Sequence, residues 1–598
     1  MEYTKSPIDI LAMSITEIQE AVDLGIINYE TIAKIYLERI KEYNDEFDAI
    51  ISVNENIAYQ AKKLDEQYKQ TGRTSMLFGI PIVVKDNIDY VDMPTTAGAK
   101  GLADNYPKQN ATIIQNLLDA GALIIGKANM SEFAFSAAIS RSSYGTVKNA
   151  YDTTLTSYGS SGGTAVAVST GMAVAGIGTD TNSSIRVPSS AANLVGLRPT
   201  YSLLASDGII NYDASRDTAG PMTKYTSDNA ILLEALTDNK KQYTEYKNNE
   251  EKITIGVVSQ FVDGDNELSY TRATKATAKV ILDLFNTTID KLEENGVQIV
   301  YIDDLYNAKA YNYYSSTIGG WTMCYFFNKY IKNTKSSVKS FKQLVNKGGY
   351  IQDLPSYAAV CNDSISTFNK YQAKHDEYEE YIEKQMDKYD VDVLAYPTTK
   401  NEITTIKSAS VTSPSFAISP VTGMPAISIP MGFGTDNLPY GIEFVAKDND
   451  ETTLYAISDM LVEEEIFEMS KLAPSLYEID DDVTKLVGLY EENLEVLNKS
   501  DYAQVKQDIQ EFFANYNSYD NHEQKAITLI DSYNQVEVQI KEKQQQQRNN
   551  IIKIGAGVIS LIVILIAVKI KLRKKKKRKK KKQTSARKNR QINRASKT

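Results

Sequence analysis

The stretch ATIIQNLLDAGALIIGKANMSEF, residues 111–133, decides the fold class. Its apolar residues first follow helical spacing, Gly121 stops the helix, and ALIIGKAN (122–129) is an apolar run of strand length. A helix that feeds directly into a buried strand is the repeating unit of an α/β domain with a largely parallel sheet. Upstream, LFGIPIVVKDNID (77–89) follows the breaker TGRT (71–74) and reads as a second buried strand ending near Lys85. Further toward the N-terminus, YETIAKIYLERIKEYN (29–44) has helical spacing, and Ser14 with Glu17 fits a capping box. Asp9 interrupts the only early apolar run, so no signal peptide is expected. Downstream, TKATAKVILDLFNTTIDKLEENG (274–296) and VQIVYI (297–302) repeat the helix–strand order. VDVLAYPTT (391–399) and SPVTGMPAISIPMGF (419–433) complete the α/β body.

A chain of 598 residues exceeds what one core supports, so more than one structural unit is expected. The net charge of −10 averages an acidic body with a tail that, from Lys569 onward, carries cations and no acid. Cys324 and Cys361 lack metal-ligand spacing, and two buried thiols are expected in preference to a bridge. His375 and His522 are the only histidines and lie far apart, so no metal site and no cofactor are expected. The chemistry falls to Ser, Lys, Asp, Glu, Tyr and backbone amides.

Beyond about residue 475 the pattern changes. Val505, Ile509, Phe512 and Tyr516 form one helical stripe, and Leu529, Tyr533, Val536 and Ile540 form another. We expect a body over 1–470, a helical stalk or linker over 471–550, a transmembrane helix over 551–572 and a polybasic tail over 573–598. The expected span has an uncharged core, Ile554 to Val568, flanked by lysines whose stems extend it. Membrane localisation and lipid contact follow as expectations, with the orientation left open; nucleic acid is the less favoured partner of the tail.

Two further stretches carry chemistry. YGSSGGTAVAV (158–168) is rich in small residues, and GTDTNSSIRVP (178–188) packs hydroxyls around an acid and an arginine. Taken alone, GSSGG fits a nucleophile elbow at Ser161, but such a triad needs a histidine, and neither His375 nor His522 has a suitable context.

Lys85, GSSGG and GTDTNSSIRVP, in that order and spacing, resemble the amidase signature family. The resemblance covers roughly residues 1–470. It implies an α/β amidase-signature fold with a mixed sheet flanked by helices. It also implies an enzyme that hydrolyses carboxylic acid amides, small or peptidic, through an acyl-enzyme. Residue by residue it makes Ser184 the nucleophile, Ser160 the bridging serine on a cis peptide bond, and Lys85 the general base. Backbone N–H groups of Thr181, Asn182, Ser183 and Ser184 would form the oxyanion hole; Ser161, Asp180 and Arg186 would support the loop. Independently, burial at the end of an apolar strand disfavours an ammonium and lowers a lysine's pKa.

Asn182 and Ser183 stand where the family has Gly-Gly, and Tyr158 replaces the first glycine of the other motif. If Ser183 takes a left-handed backbone, strain of about 1–3 kcal/mol is expected; otherwise the added side chains narrow the acyl pocket. The alternatives are the glutaminase subunit of a tRNA-dependent amidotransferase, and a catalytically inactive membrane scaffold. The oligomeric state is open.

Overall fold

The computed structural model describes residues 10–248, 252–264, 275–316, 322–359, 361, 364–463, 494–497, 499–514, 525–541 and 543. Its strands are β1 (Ile50–Val53), β2 (Pro81–Lys85), β3 (Leu123–Ala128), β4 (Arg141–Ser142), β5 (Gly145–Thr146), β6 (Ala175–Asp180) and β7 (Val195–Arg198). There follow β8 (Thr218–Thr223), β9 (Thr254–Val258), β10 (Gln298–Ile302), β11 (Val393–Pro397), β12 (Ala426–Phe433) and β13 (Pro439–Ala446). All but the small β4–β5 hairpin join one 11-stranded sheet, ordered β1-β3-β2-β6-β8-β7-β12-β13-β11-β9-β10.

The sheet is mixed rather than largely parallel. Strands β3, β2 and β6 run parallel to one another, as do β11, β9 and β10, whereas the middle from β6 to β11 is antiparallel. The reason is local: β12 turns into β13 through a hairpin-length loop, too short for the crossover a parallel pair requires. The parallel flank is where the helix–strand alternation of the sequence is cleanest. There Thr112–Asp119 buries Ile113, Ile114 and Leu117 and hands the chain to β3 across Gly121, whose φ is +85°. At the N-terminus the expected capping box is formed, with Ser14 and Glu17 satisfying each other's backbone N–H.

The chain divides into two compact units, Met1–Ile479 with Phe513–Ser518, and Asp480–Phe512 with Tyr519–Thr598. In the second unit Val505, Ile509 and Phe512 of one stripe are buried, as are Leu529 and Tyr533 of the other, whereas Val536 and Ile540 are half-buried. Tyr502 and Tyr533 pack ring to ring at 5.5 Å. Tyr516 lies outside the described residues.

Two expectations are corrected. Cys324 and Cys361 are not free thiols but a disulfide, with Cα atoms 5.0 Å apart. The backbone brings within bridging range two residues whose sequence separation of 37 carries no such information. Membrane localisation is also withdrawn, because among the described residues no helix is long and apolar enough to cross a membrane. Even the longest, Ser364–Tyr389, interleaves its apolar side chains with Lys, Asp and Glu. The segment 551–572 and the basic tail, on which that expectation rested, lie outside the described residues.

Candidate active site

Lys85 ends β2, a strand buried along its whole length, and is itself fully buried. Its Nζ lies 2.7 Å from Ser160 Oγ, 2.8 Å from Ser161 Oγ, 2.8 Å from Thr179 Oγ1 and 3.1 Å from the Thr179 carbonyl oxygen. Burial drives its pKa down to about 7, against a weaker opposing pull from Asp180 and Asp217. Three hydroxyls and a carbonyl thus surround the amine, and among the described residues it has no carboxylate as a direct partner.

The serines are delivered by a chain path that tolerates little bulk. The Gly159–Ser160 peptide bond is cis, where the family resemblance expects one. A Cβ at Gly159 would sit 2.5 Å from the Ser136 carbonyl oxygen, and one at Gly163 would collide with the Asn129 carbonyl oxygen. Ser131 N–H donates to the Ser160 carbonyl oxygen at 3.0 Å, and Ser161 N–H donates to the Ser184 carbonyl oxygen at 3.2 Å. The second bond brings the two serine-bearing loops together. No backbone acceptor among the described residues takes the N–H groups of Asn182, Ser183 or Ser184.

The family model described as Amidase matches residues 31–455. The chain belongs to the amidase family. It is 29% identical over 478 residues to a subunit of the glutamyl-tRNA(Gln) amidotransferase of Caldanaerobacter subterraneus subsp. tengcongensis, a match covering 74% of this chain and 94% of that protein. The corresponding subunit of Thermoanaerobacter pseudethanolicus is 30% identical over 482 residues, with the same coverage. Among solved structures, native peptide amidase from Stenotrophomonas maltophilia superposes with a TM-score of 0.65 at 25% identity, covering 77% of this chain and 98% of that one. This protein is therefore an enzyme of amide-bond chemistry.

In this amidase the loop between Asp180 and Arg186 is braced from inside. Arg186 donates to both Asp180 carboxylate oxygens at 3.2 and 3.3 Å, to the Asn182 carbonyl oxygen at 2.6 Å and to the Ser415 carbonyl oxygen at 3.1 Å. It also donates to Glu443 on β13, whose carboxylate takes the Ser415 and Tyr396 hydroxyls as well. Burial alone would raise the Asp180 carboxyl, but the guanidinium groups of Arg186 and Arg198 outweigh it and hold the pKa below the usual carboxylate range. Asp180 in turn accepts from the Ile185 N–H at 3.1 Å.

The Ser161 hydroxyl is engaged by Lys85 Nζ at 2.8 Å and donates to the Thr179 carbonyl oxygen at 3.1 Å. His375 is buried and held neutral, its pKa pushed down to about 3 by burial and nearby arginines, and its ring packs on Tyr201. His522 lies outside the described residues.

Neither Asn182 nor Ser183 takes a positive φ, so the strain considered for Ser183 does not arise. The Asn182 side chain instead accepts a hydrogen bond from Arg216 at 3.0 Å. The left-handed residue is Tyr158, with φ 57°, fully buried where the family has glycine. Such a conformation in a bulky residue costs about 1–3 kcal/mol, which its packed ring must offset. The sequence reading missed Thr179, although it stands in the GTD motif one residue before Asp180. It also missed Glu443, Arg198, Arg216 and Asp217, which no motif marks.

Proposed function

We propose that this amidase hydrolyses a carboxamide, small or peptidic, through a serine acyl-enzyme. Ser184 Oγ attacks the carbonyl carbon while Ser160 takes its proton and passes its own to neutral Lys85. The N–H groups of Thr181, Asn182, Ser183 and Ser184 receive the developing oxyanion; one such donor is typically worth about 10²–10³ in rate. The C–N bond then breaks, the proton returns to the leaving nitrogen, and water repeats the sequence to release the acid. Asp180, Arg186 and Ser161 position the loop and the lysine. The observation that carries this reading is the solvation of Lys85. A neutral amine can place two N–H bonds on Ser161 and Thr179 and aim its lone pair at the Ser160 hydroxyl.

A fluorophosphonate probe tests it. The folded protein should gain one adduct, on Ser184, and the Ser184→Ala variant should gain none. A folded wild-type protein that stays unlabelled overturns the proposal.

The relatives' name favours a second reading, a glutaminase subunit of a tRNA-dependent amidotransferase. Ammonia release from glutamine that appears only with partner subunits would establish it. The Cys324–Cys361 bridge weighs against it, since structural disulfides belong to oxidising compartments.

A further inference from the structure

Beside the serines stands a cluster of three rings that the catalytic scheme leaves unused. Phe135 belongs to the 131–136 turn, in which Phe133 and Ala134 take left-handed backbones with φ 52° and 58°. Ser131 of that turn donates to Ser160, and the Ser136 carbonyl oxygen packs on Gly159, so Phe135 flanks the cis peptide bond. Tyr212 comes from another loop: its N–H donates to Asp217 at 2.7 Å, and the adjoining Arg216 donates to Asn182 in the other serine's loop at 3.0 Å. Tyr357 lies on helix Leu354–Ala359 and closes the cluster. Phe135 meets Tyr212 at 5.4 Å and Tyr357 at 5.0 Å, edge to face in both cases, and the two tyrosine hydroxyls are 3.0 Å apart. All three residues are half-buried rather than sealed in the core.

Tyr357 is held there by its flanks. Before its helix, Ile351 and Gln352 donate their N–H groups to buried Glu132 at 2.6 and 3.2 Å. After it, Cys361 is bonded to Cys324 on helix Met323–Tyr330. Just ahead of that helix, Thr322 donates to Asp213 at 2.9 Å, beside Tyr212. The bridge therefore joins the segment bearing Tyr357 to the segment that steadies Tyr212.

We propose that Phe135, Tyr212 and Tyr357 form a wall that selects amides with an aromatic group on the acyl side, and that the Cys324–Cys361 bridge holds this wall in place. The proposal rests on the amidase reading above. Edge-to-face packing rewards a flat ring and gives little to a short alkyl chain.

The test measures kcat/KM of the full-length protein for phenylacetamide and for propionamide. Tyr357→Ala should lower the phenylacetamide-to-propionamide ratio about tenfold, through KM, while Tyr357→Phe keeps it within about threefold. The double variant Cys324→Ala/Cys361→Ala should lower the same ratio by roughly threefold or more with propionamide turnover unchanged. A wild-type protein without preference, or a ratio unmoved by Tyr357→Ala, overturns the proposal. If wild type turns over neither amide, the catalytic reading has failed separately, and calorimetry with phenylacetate decides the wall. Binding about tenfold weaker to Tyr357→Ala supports it, and equal binding overturns it.

Discussion

Two buried lysines end neighbouring strands of this amidase and have opposite surroundings. Lys85, on β2, faces hydroxyls and a carbonyl; Lys127, on β3, lies 3.6 Å from the carboxylate of Asp86, with both side chains fully buried. Burial pushes the pKa of both lysines down. For Lys127 the carboxylates of Asp86 and Asp89 oppose that shift, and the same burial pushes Asp86 up. For Lys85 the cost of burial is relieved by losing the proton, and in the proposed mechanism the neutral amine is the base. What differs is the partner: the hydroxyls beside Lys85 can give and take protons, whereas Lys127 faces a buried carboxylate.

The comparison can be broken most sharply at Lys85 itself. Lys85→Ala should cut kcat/KM for a simple aryl amide by about 10³ or more while the melting temperature moves little, read by steady-state kinetics and calorimetry. An active Lys85→Ala protein would remove the base from the mechanism. The reciprocal change, Lys127→Met, should cost about 3–5 kcal/mol of stability by stranding Asp86, as measured by urea unfolding.

The pH dependence separates the two lysines further. In the proposed mechanism only neutral Lys85 is competent, so kcat/KM should fall about tenfold per unit below a pKa of about 7 and level off above it. For stability the sign is the same. Between about 7 in the folded state and about 10.4 in the unfolded chain, the unfolded chain binds the extra proton, so this lysine's contribution rises with pH across that window. A flat rate profile between pH 5 and 8 would count against a titrating lysine. The smallest expected effect is at Thr179. Thr179→Val leaves a Lys85 N–H and the Asn87 amide without their acceptor, and should lower kcat/KM by roughly tenfold.

Much of this was legible in the sequence because it rests on short-range rules. The residues 111–133 specify helix, glycine stop and strand through local spacing, and Lys85, GSSGG and GTDTNSSIRVP keep a fixed order. The mixed sheet was implied by the family resemblance; what local spacing alone misread depends on distant chain. The antiparallel middle of the sheet is set by which strands meet, and the cysteine pair by a fold that closes 37 residues of chain. The Asn182–Ser183 pair raised a question of backbone strain at Ser183, and nothing local marked the partner of Asn182, Arg216, which is 34 residues further on in a loop without a motif. Tyr158 was visible as a departure, but its left-handed backbone was not, since a buried aromatic side chain is ordinarily a reason to expect the opposite.

The Arg186–Glu443 contact also sets the order in which the molecule can be completed. The two residues are separated by 257 positions, so a growing chain exposes the serine loop long before its last carboxylate exists. At roughly 5–20 residues per second that interval is on the order of ten to fifty seconds. During it Arg186 has Asp180 but lacks half of its counter-charge, and the loop bearing Ser184 lacks its anchor to β13. The loop bearing Ser184 is therefore braced only when synthesis of the domain is nearly finished, and a chain truncated before Glu443 has Lys85, Ser160 and Ser184 without that brace.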